Sequence, residues 1–180
     1  MHGYDAKDLA RSFRTVRNNT IQIAEEIPEE KYSFRPAESS RSIGETLAHI
    51  ATTTQFAPMI HGPRHNEVNF ELFMTAVQKA GAESAALTTK AKIIEALRTE
   101  GEKFAQFLDS FPEEALAERV SYPAGMQPPD KSRFEMLLST KEHEMHHRAQ
   151  LMMMQRMLGQ TTHLTRQMQE RMAQVQAQRA

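Results

Sequence analysis

Leu9, Phe13, Val16, Thr20, Ile23 and Ile27 recur at alternating steps of four and three. An α-helix turns once every ~3.6 residues, so this spacing gathers the six side chains on one face and makes a helix with a single buried seam. Asp5 can cap its start and Pro28 stops it. The same rhythm returns in Ile93, Leu97, Gly101, Phe104, Leu108 and Phe111, after Thr88 or Thr89 as a cap and before Pro112. Gly101 inside that seam costs about 1 kcal/mol relative to Ala, which a close approach by a neighbouring helix would offset. Ser42-Ile43-Gly44-Glu45 fits a capping box opening a helix from about Ile43 to Phe56, closed by Pro58. Ser132 opens a further long helix that Gly159 ends. No alternating strand pattern persists anywhere. Four long helices with intervening loops predict an all-α, antiparallel four-helix bundle, a fold in which metal sites are built between facing helices.

The connections are read from their breakers. Glu29 to Arg41 contains Pro36 and a Ser pair and is a connection; Phe70, Phe73, Met74 and Val77 suggest a short helix before Gly81. Glu113 to Lys131, with Pro123, Gly125, Pro128 and Pro129, reads as a long loop with little regular structure, of the kind that is often functional. The bundle is expected to occupy residues 1–160. Residues 161–180 form a helix-prone, Gln-rich extension whose thin stripe of Leu164, Met168, Met172 and Val175 suits either a tail or an arm on a partner subunit.

With 180 residues the chain is sized for one domain. A net charge of −1 gives no general pull toward nucleic acid or an anionic membrane. The apolar runs fall far short of the ~20 residues of a membrane span, and no charged segment leads into an apolar one as in a secretory signal. A cytoplasmic location is the expectation. The absence of cysteine removes disulfides and thiolate ligands, so any metal here is held by nitrogen and oxygen.

One stretch resists a pure packing reading. In Lys141-Glu142-His143-Glu144-Met145-His146-His147-Arg148-Ala149-Gln150, imidazoles interrupt the greasy stripe of the last long helix. His143 and His147 lie four apart, which stacks them on one face roughly 5–6 Å from each other. Leu151, Met154 and Leu158 continue the His147 line, so His147 faces inward, and a buried polar group needs a partner. Such pairs also arise by chance on ordinary helices. His146 points about 100° away from His147 and reads as a rim residue. A third ligand is needed, and His49 is the other histidine sitting mid-helix near a seam. Alone it would pass for a core histidine; joined with the inward pair it completes a set. His61 and His65 are also four apart, but Gly62-Pro63 between them prevents a regular helix, and they read as loop histidines or residues at the mouth of a cleft.

Three neutral imidazoles suit zinc, nickel, copper or ferrous iron without choosing among them. Three protein ligands with a position left open is the arrangement of catalytic rather than structural zinc. An ion so held can lower the pKa of water or polarise a thiol or carbonyl. Glu45 and Gln150, one turn from His49 and His147, can orient an imidazole or the water, though Glu45 also has its capping role. Two other readings stand beside the enzyme: a binding or stress-related bundle in which the metal braces the helices, and a metal-free interaction protein.

A mid-helix histidine followed much later by H-x-x-x-H-R-G-Q resembles the DinB/YfiT-like family of bacterial metalloenzymes, here as His49 and the run His143 to Gln150. Helix order and loop placement agree from about residue 5 to 160. The resemblance implies a four-helix bundle, a homodimer in many members, and a divalent metal on His49, His143 and His147 at one end of the bundle. It also implies a small-molecule substrate, with hydrolase or thiol S-transferase chemistry and a low-molecular-weight thiol as partner. Ala149 stands where the family pattern has Gly, and the helix-prone extension after Gly159 departs from the family's usual ending.

Overall fold

The computed structural model describes residues 4–178, and it is mostly helical. Helix α1 (Ala6–Glu26) opens on a capping box in which the Asp5 carboxylate accepts from the Asp8 N–H, 2.7 Å away. Helix α2 (Ile43–Thr53) opens on the Ser42/Glu45 box. It ends sooner than the apolar pattern suggests, at a turn at Thr54 and Gln55, and a short α3 (Phe56–His61) follows. Pro58 does not terminate anything. It sits in the first turn of α3, where its missing N–H would have had no helical partner.

Helix α4 (Phe70–Ala86) runs straight through Gly81, longer than expected, and packs on α2. Helix α5 (Lys90–Asp109) is capped by Thr89. Glu113 to Lys131 is more ordered than its prolines imply: β1 (Arg119–Ser121) and β2 (Asp130–Ser132) form an antiparallel hairpin that leads into α6 (Arg133–Met157). Gly159, at φ 77°, ends α6 in the left-handed conformation that glycine tolerates best. After it, α7 (His163–Ala177) touches α1 through His163 Nε2 and Asn19 Oδ1, 3.1 Å apart. Met168, Met172 and Val175 of α7 are exposed.

Helices α1, α2, α5 and α6 form the antiparallel four-helix bundle. Phe13 meets Phe104 edge-on at 4.7 Å while Arg17 reaches Leu97, so α1 and α5 run in opposite directions. The core falls into two apolar clusters. One holds Ile23, Ile27, Leu47, Ile50, Leu97 and Leu151; the other holds Leu9, Phe13, Phe104, Leu108 and Leu137.

Between the clusters lies a polar layer. The Arg17 guanidinium is bound to the Glu144 carboxylate of α6 at 2.9–3.0 Å, donates to the Leu97 carbonyl of α5 at 2.7 Å and to the Ile50 carbonyl of α2 at 3.4 Å. One side chain from α1 thus ties the other three helices in register. Gly101 explains itself here, since a Cβ at that position would lie 2.8 Å from Arg17 Cγ. The close neighbour that offsets its low helix propensity is a side chain rather than a helix backbone.

Candidate metal centre

The polar layer sets the height of the histidines. Ile50 and Glu144, both held by Arg17, directly follow His49 and His143 in the chain, so the same guanidinium fixes the two helices that carry the rings. The site therefore sits at mid-height, between the two core clusters, not at an end of the bundle.

His143 Nε2 lies 3.3 Å from His49 Nε2 and 3.1 Å from His147 Nε2. Two ligands held at 2.0–2.1 Å from one ion at the tetrahedral angle stand about 3.3–3.4 Å apart, so these separations match a shared ion. Hydrogen bonding alone does not account for them. One imidazole nitrogen carries either a proton or a lone pair, and His143 Nε2 would have to serve two partners at once. The rings fan rather than stack: the planes of His49 and His147 cross at 89° and those of His143 and His147 at 85°. The ligand atoms of all three lie within 4.8 Å of one another. The donor set and spacing fit a divalent transition metal.

The rings are prepared for that role electrically. Burial, then the positive Arg41 nearby and the neighbouring imidazoles, push His49 down to about 4. His143 is pushed down to about 4 as well, by burial and then by His147, His146 and Arg41. Burial also lowers His147, against a hydrogen bond to Gln150 that raises it. At neutral pH all three are uncharged, as ligands must be. His147 Nδ1 meets Gln150 Oε1 at 2.8 Å. A carbonyl oxygen only accepts, so Nδ1 carries the proton and Nε2 keeps its lone pair for the cluster.

Other sequence expectations fare differently. The Glu45 carboxylate does not orient an imidazole: it accepts from the Ser42 N–H at 2.8 Å and pairs with Arg35, and it is exposed. His146 is an exposed rim residue, with its Nε2 3.2 Å from Gln150 Nε2. His65 lies exposed in a loop, but His61 does not. It ends α3, is buried, and has Nδ1 3.3 Å from the buried Arg133, far in role from any ligand set.

Beside His147 opens a cleft of about 980 Å³ between the residue 36–41 connection, Thr46 of α2 and the outer face of α6. Arg41, His146, Gln150 and Met153 line it. Sequence reasoning missed Arg41 and the Arg17–Glu144 pair. The latter had a signal: Leu137, Glu144 and Leu151 are spaced by seven, which puts a carboxylate on the core line of α6 where it needs a cation or hydrogen-bond donors.

Residues 12–151, which include all three histidines, match the model of the DinB superfamily. The chain belongs to that superfamily. Among DinB proteins it resembles the uncharacterized protein YjoA of Bacillus subtilis (strain 168), with 26% identity over 159 residues, 87% of this chain and 92% of the relative. The crystal structure of that DinB-like protein superposes with a TM-score of 0.62, covering 85% of this chain and 92% of the other. YfiT from Bacillus subtilis, described as a probable metal-dependent hydrolase with an unusual four-helix bundle topology, superposes with a TM-score of 0.66 at 10% identity over 89% of this chain and 91% of its own. That likeness bears on the fold.

Proposed function

We propose that this DinB-superfamily chain holds a divalent transition metal (zinc, nickel or iron) on His49, His143 and His147 and works on a small molecule as a hydrolase or thiol S-transferase. The observation that carries the reading is the convergence of three neutral Nε2 atoms from two helices at separations suited to one ion. The description of YfiT as a probable metal-dependent hydrolase supports the same class of chemistry. When bound, the ion supplies Lewis acidity that lowers the pKa of water or a thiol and polarises a carbonyl.

The chain's own residues supply the rest. Gln150 holds His147 in the tautomer that presents Nε2. Arg17 and Glu144 fix α2 against α6. His49 and His143 are only partly buried and the cleft runs up to His147, so a substrate has an approach that a purely bracing ion would not need. No helix among the described residues is long and apolar enough to cross a membrane. Under this reading the protein works in the cytoplasm, where low-molecular-weight thiols stay reduced. The reading keeps residues 1–160 as the bundle and 161–180 as an appended tail or arm on a second copy, with 1–3 and 179–180 lying outside the described residues.

The test is reconstitution of tag-free protein with zinc, nickel or iron(II), followed by turnover of an activated ester with and without a small thiol. Turnover that needs the metal and disappears in His143→Ala supports the enzyme. Metal that raises the melting temperature without any turnover supports the bracing role instead.

A further inference from the structure

The lining of the cleft beside His147 contains no Asp or Glu, and its one fixed charge is the Arg41 guanidinium. Several arginines elsewhere in the molecule are used up locally: Arg14 on Glu102 and Asp109, Arg35 on Glu45, Arg64 on Glu118, Arg98 on Glu25. Arg41 is exposed and has neither an ion-pair nor a hydrogen-bond partner among the described residues. It lines the same cleft as His147. An unpaired guanidinium in a concave, acid-free site is a fork for carboxylate or phosphate oxygens, and the Ser39 and Ser40 residues beside it bring further hydroxyl donors to the lining.

The opposite wall is apolar and adaptable. Met153 and Met157 are 57% and 54% exposed, one turn apart on α6, and Pro36 faces into the same cleft. Exposed methionines in a groove accept varied apolar shapes. A volume near the upper end of ordinary ligand pockets leaves room for a ligand with a body of several bonds between Arg41 and His147, which line the same cleft.

We propose that this cleft selects amphiphilic organic anions: Arg41 takes a carboxylate or phosphate, the apolar body lies on Met153 and Met157, and the reacting group is directed toward the histidines. The substrate class rests on the metal-dependent reading given above, whereas the anion subsite itself does not need the ion.

Calorimetric titration of octanoate, octyl phosphate and neutral octanamide into zinc-loaded and chelator-treated full-length protein tests it. In wild type the two anions bind about tenfold or more tightly than the amide, the worth of a charge-assisted contact. Arg41→Gln abolishes that preference with zinc stoichiometry unchanged, and Met157→Gln weakens anions and amide alike. Chelator-treated wild type keeps the preference. The inference is overturned if octanoate does not bind at millimolar concentration, if acid and amide bind equally, or if the preference survives in Arg41→Gln. A preference that vanishes with zinc also overturns it, since the carboxylate then sits on the ion. Should the protein hold no metal yet retain an Arg41-dependent preference, the metal reading fails and the anion subsite stands.

Discussion

Two histidine sites in this bundle invite comparison. At the hairpin end, His61 sits beside Arg133, and burial together with that guanidinium pushes it down to about 4. At mid-height, His49 and His143 are pushed to the same value, again chiefly by burial. Depressed basicity does not separate the two. Their hydrogen-bond inventories do. Arg133 is fully buried but fully engaged, by Glu118 at 2.8 Å, the His65 carbonyl at 3.0 Å, Asn66 at 3.2 Å and His61 Nδ1 at 3.3 Å. Protein atoms close that site. At the other site three ring nitrogens crowd together, with His143 Nε2 within reach of both His49 Nε2 and His147 Nε2, and a shared cation would close the set. A histidine's readiness to bind metal is thus legible in how its ring nitrogens converge with others, not in how far it is buried.

The largest expected difference between the two sites is in metal affinity. His143→Ala lowers zinc affinity by more than the ~10–100-fold typical of losing a group that only orients a ligand, measured by competition with a chromophoric chelator. His61→Ala leaves affinity within a factor of a few and lowers the melting temperature instead. If both variants bind zinc alike, the distinction is wrong. Next comes the polar layer that aligns the ligand helices: Glu144→Ala leaves Arg17 buried without its carboxylate and destabilises by about 3–5 kcal/mol, read from urea unfolding, and it weakens metal binding as α2 and α6 lose their common tie.

Gln150→Ala is milder. It removes the acceptor at His147 Nδ1, so zinc affinity drops by about tenfold with unfolding stability nearly unchanged. The smallest effect is on pH. Both sites hold neutral histidines with folded pKa values of about 4, below the unfolded value. The unfolded chain gains protons first, so metal-free protein loses stability as pH falls from about 6.5 toward 4 and is insensitive above that window. His61→Gln removes part of the slope; added zinc steepens what remains, because protons then compete with the ion at the other site.

Much of this was legible in the chain. Steps of four and three fixed the long helices because one-sided burial is what a bundle needs, and the Ser42 capping box and the Ser132 start set two N-termini that the structure keeps. His143 and His147 could be paired because spacing on a single helix is geometry. Bringing His49 to them depends on how α2 packs on α6, and on Arg17, whose partners lie 33, 80 and 127 residues away. No local pattern encodes such distances. Pro58 and Gly81 misled for a related reason: a breaker marks a boundary only when its backbone demands conflict with the helix, and Pro58 in a first turn has none. The hairpin at Arg119–Ser132 was hidden because three-residue strands are too short to show alternation.

The most direct measurement is X-ray absorption at the zinc edge of stoichiometrically loaded protein, compared with its His49→Ala variant. Three imidazole nitrogens at 2.0–2.1 Å with at least one further light-atom position are expected in the wild type, falling to two imidazoles in the variant. A wild-type spectrum with two or fewer imidazoles, or one that His49→Ala leaves unchanged, contradicts a site shared between α2 and α6.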